Sequence, residues 1–173
     1  MKKRLIQFTM MATMLTACGT QPQAPVADDF KYADEQFADL QMLRYKVEGF
    51  EDLTLKQKEL VYYLSEAALE GRDILFDQNG KYNLTIRKML ETVYTDFKGD
   101  KTDENFKGME TYLKRVRFSN GIHHHYGCEK FVPALTPEFF RAALKTVDAA
   151  KLPLADGQTV DQLCDEIFPV IFD

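Results

Sequence analysis

The chain has 173 residues, of which 45% are hydrophobic and 28% are charged. This length and composition favour one soluble globular domain and exclude a disordered chain. The formal net charge of −5 leaves no basic surface of the kind that binds nucleic acid, so nucleic acid is not an expected partner.

The N-terminus has the pattern of a bacterial lipoprotein leader. A basic start, MKKR, precedes an apolar run that is too short to span a membrane as a stable helix. Leu15-Thr16-Ala17-Cys18 follows and resembles the lipobox cut by the lipoprotein signal peptidase. We therefore expect residues 1–18 to form a lipoprotein signal peptide with its lipobox, and acylated Cys18 to anchor an exported, periplasm-facing protein to the membrane. An uncleaved helical anchor is the alternative.

From residue 34 onward the spacing of apolar residues is helical and predicts an all-α domain, residues 34–173, without strands. The preceding residues 19–33 are polar and contain prolines, which is typical of a tether between lipid and domain. A first helix is predicted to end near Gly49. One face of this helix is predicted to contain Phe37, Leu40, Arg44 and Val47, with Leu43 and Phe50 beside them.

The second predicted helix has the best-defined start. Thr54 is followed three residues later by Gln57, which is the spacing of a capping box, and the helix should continue through Phe76. Residues 77–80, DQNG, predict the turn that ends it. We expect one apolar face of this helix to be buried, namely Leu60, Val61, Leu64, Ala68 and Leu75.

The third helix is predicted to start after Asn83, and the fourth to end at an Asn120-Gly121 cap. Thr136, with a proline and a glutamate after it, opens the fifth, and the last runs from Thr159 until Pro169. The residues expected in the core are Ile86, Leu90, Val93, Phe97, Phe106, Met109, Leu113, Val116, Phe140, Ala143, Leu144, Val147, Val160, Leu163 and Ile167.

The final residues 168–173, FPVIFD, form an apolar run without a polar tail. An end this hydrophobic normally needs a following segment to cover it. We therefore expect this chain to be the front part of a longer protein.

The three histidines of the chain, His123, His124 and His125, are consecutive. Neighbouring residues point in different directions on a helix or strand, so three in a row do not close one metal shell. His125 with Cys128 is the best local pair, but a structural zinc site needs four ligands, and a Cys128–His125 dyad lacks an identifiable oxyanion hole. The segment is predicted to be an ordered loop with a short extended piece, suited to hydrogen bonding with a peptide.

Two cysteines follow the lipobox cysteine, Cys128 and Cys164. An oxidising compartment would permit a disulfide between them. We favour two separate thiols because no feature of the sequence brings the two residues together.

In SNGIHHHYGCEKFVP, a Ser-Asn-Gly start leads through an aromatic-Gly pair into Lys-Phe-Val-Pro, and YYLSEAALEGRDIL upstream has the pattern Leu-Ser-x-Ala-Ala-x-x-Gly. These two segments resemble motifs of the dipeptidyl peptidase III family of zinc metallopeptidases, and in particular of its Bacteroides-type lipoprotein branch. The resemblance spans roughly residues 37–144. The matching positions are Ser119, Asn120, Gly121, Tyr126, Gly127, Lys130, Phe131, Val132 and Pro133, with Leu64, Ser65, Ala67, Ala68 and Gly71 upstream.

The resemblance implies a larger, two-lobed α+β enzyme that releases dipeptides from the N-terminus of short peptides. In this family a His-Glu-x-x-Gly-His helix and a later glutamate bind zinc, and the first Glu activates water. That motif is absent from the 173 residues. The zinc ligands are therefore expected in a C-terminal part outside this sequence, and the chain alone is predicted to be inactive.

The resemblance implies substrate-binding roles rather than catalytic or metal-binding roles for the residues present. In the family the aromatic residue before the loop glycine lines the pocket for the N-terminal side of the peptide, which implies this role for Tyr126. The residues expected to bind substrate with it are Asn120, Gly121, His123 and Lys130. Three alternatives stay open: a Tyr126 packed under the loop, a non-enzymatic lipid-anchored module that binds a peptide or protein partner, and a small metal-binding lipoprotein.

Overall fold

In the computed structural model the described residues are 29–173, so the predicted signal peptide, Cys18 and most of the tether lie outside them. Helices form most of the unit from Tyr32 to Asp173, which confirms a predominantly α fold. No helix in this part of the chain is long and apolar enough to cross a membrane. The elements are β1 Ala33–Phe37, β2 Leu40–Leu43, α1 Leu55–Glu70, α2 Arg72–Gln78, α3 Asn83–Asp96, α4 Glu104–Ser119, α5 Pro137–Leu144 and α6 Val160–Phe172.

The predicted first helix is wrong, because β1 and β2 form an antiparallel hairpin in its place. Phe37 lies opposite Leu40, and Ala38 has a positive φ of 50° in the tight turn between the strands. Leu43 and Val47, predicted beside and on the apolar face of that helix, are exposed and do not belong to the core. Tertiary pairing thus overrides the local apolar spacing.

Two ion pairs and one ring contact hold the hairpin against α4. Lys114 Nζ lies 2.6 Å from a carboxylate oxygen of Glu35, and Arg115 pairs with Asp39 in the turn. Phe37 meets Phe118 edge to face, with ring centroids 6.4 Å apart. These contacts are specific to the folded chain, and none of them follows from the spacing of apolar residues.

Helix α1 begins as predicted but lies outside the core. Thr54 and Gln57 form the predicted capping box, with Thr54 N donating to Gln57 Oε1 at 2.9 Å. The helix is interrupted at Gly71, so two helices, α1 and α2, take the place of the single predicted helix. The expected burial of its apolar face is wrong, because α1 contains no buried residue and Leu60 is 57% exposed. Helix α1 therefore presents an uncovered apolar face in the described chain.

The hydrophobic core lies among α3, α4, α5 and α6, with Phe76 of α2 added to it. Thr136 caps α5 and Thr159 caps α6, as predicted. Most of the residues predicted for this core are buried, and Phe97, Val147 and Val160 pack against it from its edge. The buried members of the predicted set are Ile86, Leu90, Val93, Phe106, Met109, Leu113, Val116, Phe140, Ala143, Leu144, Leu163 and Ile167.

The last helix does not stop at Pro169, as the sequence predicts, but continues to Phe172. Pro169 lacks one backbone donor, and burial of Ile167, Phe168 and Ile171 on both sides of it offsets that loss. The apolar end thus packs into the described core instead of staying uncovered.

Close backbone contact joins α4 to the segment that precedes α5. A Cβ atom added at Gly108 would lie 1.8 Å from the backbone oxygen of Ala134. One turn earlier, Asn105 Oδ1 accepts a hydrogen bond from the backbone nitrogen of Thr136 at 3.0 Å. The absence of a side chain at Gly108 is therefore what allows the segment to lie on α4.

Replacement of Tyr112 by phenylalanine should stabilise the fold by about 1 kcal/mol. Tyr112 is buried in α4, and its hydroxyl has no hydrogen-bond partner among the described residues. Burial raises the pKa of Tyr112, because the phenolate would be desolvated there. Urea unfolding at neutral pH measures the effect, with Tyr94→Phe on the surface as the control. A clear loss of stability in Tyr112→Phe would contradict this account of the hydroxyl.

Candidate functional site

The loop between α4 and α5 starts at a left-handed cap. Asn120 has φ 54° and ψ 36°, a conformation that asparagine tolerates better than most residues, and it ends α4 where predicted. Gly121 follows, and a Cβ atom there would lie 2.5 Å from Asn83 Nδ2. Asn83 Oδ1 accepts a hydrogen bond from the backbone nitrogen of Ile122 at 3.2 Å. The start of the loop is therefore fixed against the first residue of α3.

Beyond Ile122 the loop folds back on itself in a short turn, here called the histidine turn, residues 123–130. His123 and Lys130 form an isolated antiparallel bridge, which confirms the predicted short extended piece. The backbone nitrogen of His124 donates to the Glu129 carbonyl at 2.9 Å. Lys130 Nζ donates to the Val170 carbonyl of α6 at 3.3 Å. The histidine turn is thus an ordered structure attached to the last helix.

The imidazole of His124 organises the tip of the histidine turn. Its Nδ1 accepts hydrogen bonds from the backbone nitrogens of Tyr126 and Gly127, both at 3.2 Å. His124 must keep Nδ1 unprotonated to accept these bonds. The side chain of His124 is therefore used within the loop and sets the backbone position of Tyr126.

Aromatic rings form a row from α4 to the tip of the turn. Phe118 contacts His125 with ring centroids 5.3 Å apart, and His125 contacts Tyr126 at 4.3 Å. Tyr126 is 91% exposed, so the alternative in which it packs under the loop is wrong. Its ring and hydroxyl are available to a ligand at the surface.

A polar cavity of about 270 Å³ lies beside the histidine turn. Ser119 is buried, and its hydroxyl has no hydrogen-bond partner among the residues that the structure describes. The amide nitrogen of Asn79 donates to the Asn120 carbonyl at 3.2 Å. The walls thus offer amide, hydroxyl and imidazole groups. They consist of Asn79, Asn83, Ser119, Asn120, Gly121, His123, His124 and His125.

The structure brings some of the predicted binding residues together and separates others. Asn120, Gly121 and His123 line the cavity, whereas Tyr126 lies at the exposed tip and Lys130 is bonded to α6. Sequence reasoning missed Asn79, Asn83 and Ser119 as wall residues. Asn79 falls in the predicted turn DQNG, and Asn83 falls at the predicted start of the third helix. Of the three residues, only Ser119 belongs to a recognised motif.

The described residues contain no group of three or more His, Cys, Asp or Glu side chains placed to hold a metal ion. His125, the candidate partner of Cys128 in a local metal pair, instead meets Phe118 edge to face and Tyr126 at a tilted angle. Cys128 is an exposed free thiol, and Cys164 is a buried one. Burial raises the pKa of Cys164, which keeps it protonated at neutral pH. We derive no metal chemistry from these side chains.

Comparison with models of known protein families finds no match, and no curated protein is significantly similar to the chain. The function proposed below therefore depends on the two motifs and on the geometry of the histidine turn.

Proposed function

We propose that this chain forms the N-terminal helical part of a larger, two-lobed, lipid-anchored zinc dipeptidyl peptidase, to whose substrate cleft it contributes a wall. The zinc ligands would come from polypeptide outside this sequence, and zinc would activate the attacking water. Short peptides are the substrates of the proposed enzyme. Acylated Cys18 would hold it on the periplasmic side of a membrane.

The observation that supports the proposal best is the exposure of Tyr126 on an ordered turn. Tyr126 occupies the position that the family motif gives to a substrate-binding aromatic residue, and it is 91% exposed. Hydrogen bonds from the Tyr126 and Gly127 backbone to His124 fix the base of this side chain. A backbone positioned in this way loses little conformational entropy when a peptide binds.

The uncovered apolar face of α1 supports a role within a larger assembly. Leu60, Val61 and Leu64 are all exposed on this helix, and Tyr62 and Tyr63 lie beside them. Contiguous apolar surface of this kind typically marks a site of protein contact. Leu64 also belongs to the Leu-Ser-x-Ala-Ala-x-x-Gly motif, so the helix that resembles the family is the one that lacks a partner here.

The DNA that follows the codon for Asp173 tests the enzyme proposal directly. We expect an open reading frame that encodes His-Glu-x-x-Gly-His downstream. We also expect the purified 173-residue chain to hydrolyse no dipeptidyl substrate and to hold no stoichiometric zinc. An immediate stop codon in the complete gene would overturn the enzyme proposal and favour a non-enzymatic peptide-binding lipoprotein.

Measuring the zinc content of the purified chain distinguishes the proposed peptidase from the remaining alternative, a small metal-binding lipoprotein. A small metal-binding lipoprotein should purify with one zinc per chain, and His125→Ala and Cys128→Ser should remove that zinc. Peptide hydrolysis by the isolated chain would also contradict our proposal, because the proposed zinc ligands lie in polypeptide outside this sequence.

A further inference from the structure

A second cavity, of about 280 Å³, shares Asn120 with the cavity beside the histidine turn. We call it the arginine cavity, and its polar walls are Arg72, Asp73, Arg87, Glu91, Arg117 and Asn120. Three guanidinium groups line the cavity with two carboxylates, and Lys88 Nζ lies 3.4 Å from Asp73 Oδ2, so cationic groups outnumber carboxylates here within a chain of net charge −5. An anionic group of a ligand would offset this excess of positive charge.

The two carboxylates do not use all the guanidinium donors. Asp73 accepts from Arg87 Nη2 at 2.5 Å, and Glu91 Oε1 accepts from Arg117 Nε at 2.9 Å and from Nη2 at 2.7 Å. Arg87 is only 9% exposed, yet its Nε lies 3.4 Å from Glu91 Oε1 and has no hydrogen-bond acceptor within the described part of the chain. A buried donor without an acceptor is costly, which favours a ligand oxygen in this cavity.

The position of Arg87 is fixed independently of any ligand. Its guanidinium carbon lies 4.5 Å from the centroid of the Phe76 ring, which is buried in the core. Stacking on an aromatic face leaves the edge of the guanidinium plane, where the N–H groups lie, available for hydrogen bonds. The cavity thus contains one cationic group whose orientation is set before binding.

Arg72 supplies a second set of donors at the mouth of the cavity. Its side chain is exposed, and among the described residues its guanidinium forms no ion pair or hydrogen bond. The planar guanidinium can donate two parallel hydrogen bonds to a carboxylate. Arg72 is therefore the group best placed to capture a carboxylate that approaches from solvent.

We propose that the arginine cavity binds the side-chain carboxylate of an acidic residue in the peptide, with Arg72 as its main donor. This inference rests on the proposed function, because the shared wall at Asn120 joins the arginine cavity to the peptide site at the histidine turn. It assigns a preference for peptides that contain glutamate or aspartate. Such peptides bring a negative charge to a cavity in which cationic groups outnumber carboxylates.

Isothermal titration calorimetry with the 173-residue chain tests the preference. The probes are two C-terminally amidated tetrapeptides, alike except for glutamate or glutamine at one internal position, so that no terminal carboxylate competes. We expect the glutamate peptide to bind about tenfold more tightly. Arg72→Gln should abolish the difference, whereas Lys98→Gln, which removes an exposed cation that does not line the cavity, should preserve it.

Any other calorimetric result would show which part of the proposal is wrong. Equal affinities, or a preference that survives Arg72→Gln, would overturn the role of the arginine cavity and leave peptide binding at the histidine turn intact. Binding of neither peptide would overturn this inference and the peptide site at the histidine turn, whereas the reading frame after Asp173 tests the proposed enzyme separately. Stronger competition by inorganic phosphate than by acetate would overturn the assignment of a carboxylate ligand.

Discussion

Gly108→Ala should destabilise the folded chain by about 2–3 kcal/mol. The new Cβ atom would lie 1.8 Å from the backbone oxygen of Ala134, so the clash involves main chain that cannot move aside by rotating a side chain. Alanine is the better helix former by about 1 kcal/mol, so helix propensity alone predicts the opposite sign. Chemical denaturation of the two proteins measures the difference.

Gly71→Ala is the matched control for this substitution. Gly71 joins α1 to α2 in a right-handed helical conformation, with φ −74° and ψ −5°. A Cβ atom there meets its nearest neighbour at 3.5 Å, which is ordinary contact. We expect a neutral or slightly stabilising effect at Gly71. If Gly108→Ala is equally harmless, α4 and the segment at Ala134 do not pack as described.

Tyr126→Ala should weaken the binding of short peptides about thirtyfold, which corresponds to about 2 kcal/mol. The substitution removes an aromatic face and a hydroxyl from the tip of the histidine turn. Because Tyr126 is 91% exposed, the free energy of unfolding should hardly change. Calorimetric titration with amidated tetrapeptides gives the affinity, and urea unfolding verifies the fold.

Tyr126→Phe separates the two contributions of the side chain. It retains the ring that contacts His125 and removes only the hydroxyl, so we expect a loss of about three- to tenfold in affinity. In a full-length peptidase, Tyr126→Ala should reduce the use of short peptides and leave the zinc content unchanged. Unchanged affinity in Tyr126→Ala would remove Tyr126 from the binding site.

The helices that form the core could be predicted from local signals. Thr136 and Thr159 mark the starts of α5 and α6, and Asn120 marks the end of α4. Apolar residues at helical spacing are buried in α3 and α4 because each of these helices has a neighbour to pack against. Local capping chemistry and amphipathic spacing together determine these elements.

The same periodicity failed where no neighbour covers the apolar face. Leu60 and Leu64 have helical spacing, and the helix exists, but their burial depends on a partner surface that the described chain does not supply. At the hairpin, the ion pair between Lys114 and Glu35 joins residues 79 positions apart, which no local pattern encodes. Periodicity indicates which residues share a face but not what lies opposite that face.

The candidate site was predictable in its loop and not in its walls. The motif contains Ser119, Asn120 and Gly121, which are consecutive in sequence and line the cavity, whereas His123 lies between the motif positions and is predicted as a polar residue of the same loop. Asn83 is also a wall residue, yet its contact with Ile122 depends on how α3 and α4 pack. His124 accepts a hydrogen bond from the Tyr126 backbone within the histidine turn, a structural role that the residue type alone does not indicate.

The hydrogen bond between Asn83 and Ile122 has a consequence for the order in which the chain folds. It joins residues 39 positions apart, so forming it costs more loop-closure entropy than any bond within α3 or α4. Contacts between nearby residues form first, and those that close long loops form later. The helices should therefore be in place before the cavity wall exists, and the wall should be among the first parts lost in a partial opening.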